Sequence, residues 1–529
     1  MTLRHAFWAV VATAALLLLV RAGSVPLLDP DESRFARTSV EMLRSGDLVV
    51  PSFEGRPRVV KPPLVHWIQA FLFSLAGASE WAARLHSAAA TLGSILLVGW
   101  LAGRRFGPEG RVWAAVVLST MPLVLVPGKV GTLDALLAVH VFAVVALDMA
   151  GQETRFQAST TGALLGLAFL VKGPVGVVLP LLVMLAGRTA SGRNVWPAAG
   201  SLLRAAAAWS VVVLPWGVAF VRRMGSAVTA ETIRHEVFER YFAGTAHVEP
   251  PWFFVAVAAV GFAPWLAPLA IGCWRAWRMR RDPLAGSALY AAAGLLAGFV
   301  FFSIGRSKVA TYLLPLAPLA AIVVTWELGR EIAAPRERTL GPTLVAATLA
   351  ACAVLLGSAA ATRLDGVERT VALIGTAAFA GAALLAGAAA TRQRPRWAYG
   401  AAAGASATFL LACVVLLFPA LGRDRSAAVL VQRVTELSSG RPLVTADVRV
   451  PSLTFYLDLA PEWVPLPALA ERLARGDRPL AVLAAVDLPA LPESVARSLR
   501  EVGRAGRYVV FEETPPPPDA PADPLDLGR

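Results

Sequence analysis

Residues 399–419 read YGAAAGASATFLLACVVLLFP and contain no charged side chain. A helix that crosses a membrane needs about 20 mostly apolar residues, so this stretch predicts a membrane span. The whole chain of 529 residues agrees, because 56% of it is hydrophobic and only 16% is charged. Soluble globular proteins carry about 25% charged residues. The composition therefore excludes a soluble globular protein, a disordered chain and a disulfide scaffold.

Similar apolar runs recur through the first 420 residues and predict about thirteen spans. These lie at roughly 5–21, 85–103, 111–127, 132–149, 159–171, 174–187, 202–221, 254–274, 285–303, 309–327, 340–361, 369–390 and 399–419. The predicted fold class is a polytopic α-helical membrane protein with a small C-terminal soluble α/β domain. Lys172-Gly173-Pro174 splits the short pair 159–187, so one broken helix is an alternative that would reverse every later span. The first run lacks the small-residue cleavage site of a signal peptide, so we expect it to remain as an anchor.

The basic residues predict the orientation. A net charge of +13 is compatible with nucleic-acid binding, but arginine-rich cytoplasmic loops explain it better in a membrane protein, so no nucleic-acid partner is predicted. Arginines concentrate in alternate loops, at 104–105, 188–193, 275–281, 330–338 and 392–396. The positive-inside rule then places the N-terminus in the cytoplasm. Thirteen spans would place the C-terminus on the outer side.

The chain is predicted to consist of a membrane domain over 1–420, a soluble module over 421–512 and a disordered Pro-rich tail over 513–529. Two long outer segments interrupt the membrane domain, at about 22–84 and 222–252. In the first we expect short helices on the membrane surface, such as Pro63–Leu75. Short apolar runs and helical stretches alternate in the module, which indicates an α/β fold. The runs are Pro442–Ala446, Ser452–Leu457, Leu480–Val486 and Tyr508–Phe511, and the helical stretches are Ala427–Leu437 and Glu493–Val502.

The first candidate for chemistry is Asp29-Pro30-Asp31-Glu32-Ser33-Arg34, directly after the first span. One interpretation is a solvated loop in which Asp31 caps a helix that starts at Ser33. The other is a catalytic site, in which a carboxylate binds or deprotonates a substrate and Arg34, one turn away, binds an anion. The pattern alone leaves both open.

The second candidate is Thr132-Leu133-Asp134-Ala135, which opens an otherwise apolar span. An ionisable group at such a boundary is a functional candidate, although it can also cap a helix. The lysines are the third, because only four of the 49 basic residues are lysines, namely Lys61, Lys129, Lys172 and Lys308. All four lie on the outer side of the predicted topology. An ammonium group suits a phosphate oxygen, although lysines can also simply extend to the membrane interface.

Further polar groups lie in the second outer segment and near Lys308; they are His235, Glu236, Arg240, Tyr241, His247, Arg306 and Tyr312. The histidines and Glu236 are weak candidates for a divalent metal site, since the pair His235-Glu236 lacks a second His one helical turn away.

Several motifs together resemble those of the bacterial lipid A aminoarabinose transferases, which are GT-C membrane glycosyltransferases distantly related to the protein O-mannosyltransferases. In chain order, the matching residues are Asp31-Glu32-Ser33-Arg34, Gly46-Asp47, Lys61-Pro62-Pro63, Thr132-Leu133-Asp134, Val171-Lys172-Gly173, Glu236 with Arg240, His247 with Pro251-Trp252-Phe253, and Ser307-Lys308 with Thr311-Tyr312. The segment Pro451-Ser452-Leu453 with Phe455-Tyr456-Leu457 is similar to the C-terminal domain of that family.

The resemblance implies an enzyme of the bacterial inner membrane that transfers a sugar from a polyprenyl-phosphate carrier. The acceptor would be a lipid, a glycan or a protein at the periplasmic face, and the reaction a single inverting displacement. Asp31, with Glu32 as the alternative, would bind or deprotonate the acceptor, and Asp134 would orient the acceptor or the sugar. The donor phosphate would be held by Arg34, Lys61, Lys172, Arg240, Lys308 and Tyr312. In the family a His follows the Glu that matches Glu236, whereas here Val237 follows it, so a metal stays open.

Two other classes of function fit the sequence less well. A lipid or sugar transporter would carry ionisable groups near the bilayer midplane and inverted repeats, whereas here the charged clusters concentrate at one side. A structural protein that recruits partners through its C-terminal module would leave the charged residues Asp31, Lys61, Asp134 and Lys308 unexplained.

Overall fold

The computed structural model describes residues 2–151, 154–244, 247–334, 340–438, 440–475, 477–491 and 493–513. The chain forms two compact units, and each is described by itself. The larger unit comprises Met1–Val25 and Thr38–Pro419, and the smaller comprises Pro26–Arg37 and Ala420–Arg529. This division differs from the predicted one, because residues 26–37 group with the C-terminal part. The predicted tail lies outside the described residues from 514 onward.

The larger unit is helical apart from one small hairpin of β1 (Ser52–Phe53) and β2 (Arg56–Pro57). Its helices are α1 (Leu3–Leu19), α2 (Asp31–Ser45, which starts in the smaller unit), α3 (Leu64–Ala76), α4 (Glu80–Ser119), α5 (Pro122–Gly128), α6 (Asp134–Ala150), α7 (Arg155–Lys172), α8 (Val175–Ala190), α9 (Ala199–Met224), α10 (Ser226–Ile233), α11 (Phe253–Gly261), α12 (Leu266–Arg278), α13 (Gly286–Ile304), α14 (Ala317–Ala333), α15 (Leu340–Thr362), α16 (Gly366–Thr391), α17 (Pro395–Ala412) and α18 (Phe418–Asp424, which ends in the smaller unit). A π-helix covers Arg234–Ala243 and another covers Cys413–Leu417, and 3-10 helices cover Pro283–Ala285 and Ala310–Leu316.

Among the described residues, seven helices are long and apolar enough to cross a membrane. There are eight if α11 and α12, which meet at 110°, form one broken span. Three further helices, α1, α3 and α8, are also apolar but shorter, with 10–17 residues each. The chain is therefore a multi-pass membrane protein.

The range of α4 contains two helices, because the chain reverses direction at Gly107. Gly107 has φ 78° and ψ −176°, which are not helical angles, and Pro108 follows it. A Cβ on Gly99 would lie 3.5 Å from the carbonyl oxygen of Arg111. Residues twelve apart in one straight helix are about 18 Å apart along the axis. The segments before and after Gly107 therefore pack side by side, as two helices.

The second reversal lies between α7 and α8. Lys172 ends α7, Gly173 adopts φ 67°, and α8 begins at Val175. A Cβ on Gly176 would lie 2.2 Å from the carbonyl oxygen of Ala168, so α8 returns along α7. The alternative of one broken helix running onward over 159–187 is wrong, because a glycine with positive φ turns the chain back.

Contacts between the helix ends give the larger unit two distinct ends. The end that carries the four lysines is called the lysine end. At the opposite end, called the arginine end, arginines join the helix termini: Arg105 donates to the Met149 carbonyl, Arg188 and Arg193 pair with Asp148, Arg396 pairs with Glu109, and Arg275 pairs with Glu327 and Glu331. Helix α6 connects the two ends, and its 17 residues give a length of about 25 Å.

The smaller unit contains a five-stranded sheet with strand order β4-β3-β5-β7-β6. The strands are β3 (Leu443–Ala446), β4 (Glu462–Val464), β5 (Leu480–Ala484), β6 (Leu499–Ala505) and β7 (Tyr508–Glu513), and the helices are α19 (Val431–Leu437), α20 (Pro451–Leu457), α21 (Leu466–Ala474) and α22 (Glu493–Ser498), with 3-10 helices at Ala428–Leu430 and Ala485–Ala490. β3 pairs in parallel with β4 and β5, and β7 pairs antiparallel with β5 and β6.

Both faces of this sheet are buried. In β5, Leu480 and Val482 pack against α19 and α20, whereas Ala481 and Leu483 pack against α21. Alternate side chains of a strand point to opposite faces, so a continuous apolar run fits a strand covered on both sides.

Two predicted segments of this module have a different structure. Ser452–Leu457 lies within α20 rather than forming a strand, because Pro451 occupies the first helical position, where its fixed φ favours a helix. The stretch Glu493–Val502 is helical only to Ser498 and then enters β6, whose pairing with β7 overrides local helix propensity.

Candidate functional site

A cavity of about 270 Å³ lies at the lysine end of the larger unit. Its wall is mostly apolar and aromatic, and two ammonium groups and one carboxylate face it. The lining residues come from five parts of the chain: Lys61; Leu137; Lys172, Pro174, Val175 and Val178; Glu236 and Tyr241; and Phe301, Phe302, Gly305, Ser307, Thr311, Tyr312 and Pro315. We call it the lysine cavity.

Each lysine of this cavity forms an ion pair. Lys61 Nζ lies 2.6 Å from Glu236 Oε2, and Lys172 Nζ lies 2.6 Å from Asp134 Oδ1. The four side chains are only 14–17% exposed, so water screens these charges weakly. The ammonium group of Lys172 also lies 4.6 Å from the centre of the Tyr312 ring, which favours a cation.

Helix ends explain why the second pair forms at this place. Asp134 is the first residue of α6 and Lys172 the last of α7. The helix dipole favours a negative charge at the first of these positions and a positive charge at the second. An ammonium group has three N–H donors, so a bond to one carboxylate leaves Lys172 able to bind a further oxygen.

The end of the π-helix and the residues after it are fixed by hydrogen bonds to the end of α13 and to the residues just before the 3-10 helix Ala310–Leu316. Tyr241 donates its hydroxyl to the Phe301 carbonyl at 2.7 Å and accepts the N–H of Arg306 at 2.9 Å through its own carbonyl. Burial raises the pKa of the Tyr241 hydroxyl. Val248 and Ser307 form an antiparallel bridge. These contacts hold one wall of the lysine cavity in place.

Two hydroxyl groups of this wall have unused hydrogen-bonding capacity. Ser307 Oγ and Thr311 Oγ1 are buried and find no hydrogen-bond partner within the described part of the chain. Buried hydroxyls are normally paired, because leaving one unpaired costs about 1–3 kcal/mol. Both residues line the lysine cavity, so a rotation about χ1 that turns either hydroxyl into the cavity would let it donate to a ligand oxygen.

The remaining residues predicted to hold the donor phosphate are placed differently. Lys308 is 4% exposed and is not one of the lining residues described above; its ammonium group donates to the Glu249 carbonyl at 2.9 Å. It supports the fixed segment next to the cavity. The side chain of Arg240 lies outside the described part of the structure.

The weak metal candidates do not converge. Glu236 pairs with Lys61, whereas His235 is half exposed and lies 2.9 Å from Glu239. His247 is exposed. Across the described ranges, no group of three His, Cys, Asp or Glu side chains is arranged to hold a metal ion. These residues therefore do not fit a metal site, and we derive no step through one.

The acidic motif after the first span lies in the smaller unit. Asp31 is the first residue of α2, is exposed, and lies 3.6 Å from Arg34. The prediction that Asp31 caps a helix starting at Ser33 is wrong in this detail, because the helix already includes Asp31. Glu32 is buried and accepts the N–H of Leu28 at 2.8 Å, so it is Glu32 that binds a backbone N–H ahead of the helix.

Sequence reasoning missed some residues of these two regions. The aromatic wall of Phe301 and Phe302 lies inside an apolar run that gives no local signal. Asp29 was noticed only as part of its motif, yet it is 5% exposed and the centre of a hydrogen-bond network. An acid directly after a span, with serine four residues later, is the only sequence signal for it.

Comparison with known proteins gives consistent results. Residues 60–216 match the family described as dolichyl-phosphate-mannose-protein mannosyltransferase. The undecaprenyl phosphate-alpha-4-amino-4-deoxy-L-arabinose arabinosyl transferase 1 of Sodalis glossinidius is 31% identical over 398 residues, which cover 71% of this chain and 69% of the relative. The transferase of the same description from Aeromonas salmonicida is 29% identical over 330 residues. That match covers 60% of this chain but spans only 59% of the relative's length.

The fold is similar to that of ArnT from Cupriavidus metallidurans. Its crystal structures, in the apo state and bound to undecaprenyl phosphate, each match with a TM-score of 0.75 and 25% identity. The match covers 95% of this chain and 97% of that protein.

Proposed function

Because this chain belongs to the family of undecaprenyl phosphate-α-4-amino-4-deoxy-L-arabinose arabinosyl transferases, we propose that it is a glycosyltransferase of the bacterial inner membrane. It moves a sugar from a polyprenyl-phosphate carrier to a lipid acceptor, with lipid A as the acceptor of first choice. The alternative of a transporter is rejected, since the relatives that the chain matches are transferases.

The lysine cavity is the observation that carries this proposal. A polyprenyl phosphate combines an anionic head with an apolar tail, and the cavity combines two ammonium groups with an aromatic wall. The phosphate gains negative charge when the sugar leaves it. Cations already fixed near that oxygen stabilise the transition state more than the ground state.

The residue roles follow from this assignment. Lys61, Lys172 and Tyr312 would bind the departing phosphate, and the hydroxyls of Ser307 and Thr311 would donate to it. Asp134 would hold Lys172 in place and orient the sugar. Lys308, predicted to bind the phosphate, would instead hold the segment that borders the cavity, through its bond to the Glu249 carbonyl. Arg240 stays a proposed ligand of the phosphate.

Asp31 is proposed as the carboxylate that binds or deprotonates the acceptor in a single inverting displacement. It is exposed and therefore able to meet an acceptor, unlike Glu32, whose carboxylate binds a backbone N–H. Arg34, predicted to bind the donor phosphate, lies 3.6 Å from Asp31 and would also balance its charge. We propose in addition that thirteen spans place the N-terminus in the cytoplasm and the α/β part of the smaller unit in the periplasm.

The test measures donor binding and transfer with purified protein in lipid nanodiscs. Lys61→Met and Lys172→Met should weaken the binding of undecaprenyl phosphate by about tenfold or more, because each removes a charged hydrogen bond worth about 1.5–3 kcal/mol. Transfer of aminoarabinose from undecaprenyl phosphate to lipid A should fall further, since the same bond strengthens in the transition state.

The matched control is Arg396→Gln, which breaks the exposed ion pair with Glu109 at the arginine end. It should bind undecaprenyl phosphate like the unmodified protein. Equal binding by the two lysine variants and the control would contradict the assignment of the cavity to the donor phosphate.

A further inference from the structure

Asp29 has a buried carboxylate that receives four hydrogen bonds inside the smaller unit. Its Oδ1 accepts from the Ser33 hydroxyl and, at 2.8 Å, from the Ser452 N–H. Its Oδ2 accepts from the Ser452 hydroxyl and, at 3.0 Å, from the Tyr508 hydroxyl. Every partner is itself buried: Ser33 and Ser452 are 0% exposed and Tyr508 is 2% exposed.

This one carboxylate therefore joins three separate parts of the sequence. They are the segment Pro26–Arg37, the start of α20 and the start of β7. The Ser452 hydroxyl extends the network to a fourth part, because it also accepts the N–H of Ala427 at 2.9 Å.

Other bonds hold the same segment on both sides of Asp29. Before it, the N–H of Leu27 donates to the Tyr456 hydroxyl at 2.9 Å. After it, Arg37 donates to the Thr454 carbonyl at 3.3 Å and pairs with Asp458 at 2.7 Å. The backbone that carries Asp31 is thus bonded at both ends and at its centre to helix α20 and its flanks.

Stability alone does not account for an acid at this position. Burying a carboxylate costs several kcal/mol, which the hydrogen bonds offset but rarely exceed, and apolar residues of similar volume often stabilise such a site better. Four convergent donors instead fix one position of the carboxylate. Asp29 lies two residues before Asp31, so the direction in which α2 starts is fixed with it.

We propose that Asp29 is a positioning residue, through which the C-terminal part of the smaller unit holds the segment Asp31–Arg34 in the geometry needed for transfer. This inference rests on the proposed function, since it assigns the C-terminal fold a part in catalysis through Asp31. Asp29 acts through its hydrogen bonds with Ser452 and Tyr508 and itself contacts no substrate.

The test uses the full-length protein and two mild variants, Tyr508→Phe and Ser33→Ala, each of which removes one hydroxyl from the network. We expect kcat to fall by about tenfold or more, because small displacements of a reacting group are costly. The KM for the donor and the binding of undecaprenyl phosphate should stay within about twofold, since the donor phosphate is assigned to other residues. Asp29→Asn should lower kcat more strongly than either.

The readout that separates positioning from stability is a double-variant comparison. Asp31→Asn should lower transfer by about 10²–10⁴-fold. Adding Tyr508→Phe to Asp31→Asn should cause no further loss if Tyr508 acts through Asp31. Hydrogen exchange of the amides in 26–37 should accelerate in Tyr508→Phe, and kcat is compared per folded molecule, so that a lower melting temperature cannot account for its fall.

Arg472→Ala is the matched control, because it breaks an ion pair with Glu462 in the same unit that does not touch the 26–37 segment. It should show unmodified kinetics. An unchanged kcat in Tyr508→Phe and Ser33→Ala, in a protein whose Asp31→Asn variant is inactive, overturns the positioning role and leaves the proposed function intact. Absence of transfer by the unmodified protein would instead refute the proposed function. Full activity of Asp31→Asn overturns the positioning role as well.

Discussion

At the scale of single residues, the four lysines differ in the groups that they bind. Lys61 and Lys172 pair with carboxylates at the cavity and Lys308 binds one carbonyl, whereas Lys129 is 3% exposed and binds three carbonyls. Those carbonyls belong to Leu17, Leu18 and Val20, at the C-terminal end of α1. A helix end has carbonyls without internal partners, and a cation there also meets the negative end of the helix dipole.

Lys129→Met should therefore destabilise the fold without affecting the donor site. The variant leaves buried carbonyls unpaired, which costs about 1–3 kcal/mol for a single group. We expect a lower melting temperature in detergent and a smaller folded yield, with binding of undecaprenyl phosphate per folded molecule unchanged. Lys61→Met provides the contrast, since it should weaken the binding of undecaprenyl phosphate per folded molecule, whereas Lys129→Met should not. A Lys129→Met protein that melts like the unmodified one would contradict the capping role.

Part of the candidate site could be predicted from these residues in sequence. Lysine is rare in a chain that otherwise uses arginine, which singled out Lys61 and Lys172, and Asp134 opens a span. The pairing of Lys61 with Glu236 could not be predicted, because 175 residues separate them and only the fold brings them together. In the sequence, Glu236 is equally a candidate metal ligand, because a carboxylate alone does not identify its partner.

At the scale of elements, glycines decide which apolar runs are separate helices. Composition locates the runs, and most described helices lie where a run was predicted. Composition could not decide whether 159–187 forms one broken helix or two helices packed side by side. The close packing of α8 on α7 depends on the absence of a side chain at Gly176 and not on hydropathy. The same holds for the runs 85–103 and 111–127, because the chain turns back at Gly107 between them; the second run forms the end of α4 and most of α5.

Gly176→Ala should accordingly be disruptive. Its Cβ would lie 2.2 Å from the Ala168 carbonyl oxygen and 2.4 Å from its carbon, both backbone atoms that cannot move aside. We expect a loss of about 1–3 kcal/mol, seen as a lower melting temperature, because overpacking shifts the two backbones apart. Binding of undecaprenyl phosphate should weaken too, since Val175 and Lys172 line the lysine cavity.

The matched control is Gly217→Ala in α9, where a Cβ would meet nothing within 4 Å. Alanine favours a helix over glycine by about 1 kcal/mol, so this variant should be as stable as the unmodified protein or more so. Similar melting temperatures for the two alanine variants would refute the close approach of α7 and α8.

At the scale of the whole molecule, all four lysines of the larger unit lie at one end, whereas arginines occur at both ends; Arg84, for example, lies beside Lys129 at the Phe418 ring. The arginine end joins helix termini through buried ion pairs, such as those of Asp148 with Arg188 and of Glu331 with Arg275. The lysine end carries the cavity. Sequence periodicity predicts a helical membrane protein but not this arrangement, because the pairs connect residues that are 40–56 positions apart. The positive-inside rule assigns the arginine end to the cytoplasm.

The path of the first and last helices of the larger unit predicts where the chain continues. Near the start of α1, the centre of the Phe7 ring lies 5.9 Å from the guanidinium of Arg111, and Arg111 is close to the arginine end. Lys129 binds the opposite end of α1. Helix α17 starts at Pro395, beside Arg396, and the chain then reaches Phe418, whose ring centre lies 5.2 Å from the Lys129 ammonium group. The N-terminus and residue 419 are therefore expected on opposite sides of the membrane.

Reporter fusions test this orientation. Alkaline phosphatase folds only in the periplasm, so a fusion after Leu421 should be enzymatically active and a fluorescent-protein fusion at the same site should be dark. The control site is Arg281, in the arginine-rich turn between α12 and α13, where the fluorescent fusion should be bright and the phosphatase inactive.

An inactive phosphatase at both sites would mean that residue 421 shares the cytoplasm with the arginine end. The chain would then cross the membrane an even number of times. A periplasmic sugar transfer that needs Asp31 could not be maintained in that case, because Asp31 follows the first span directly and belongs to the same compact unit as the C-terminal sheet.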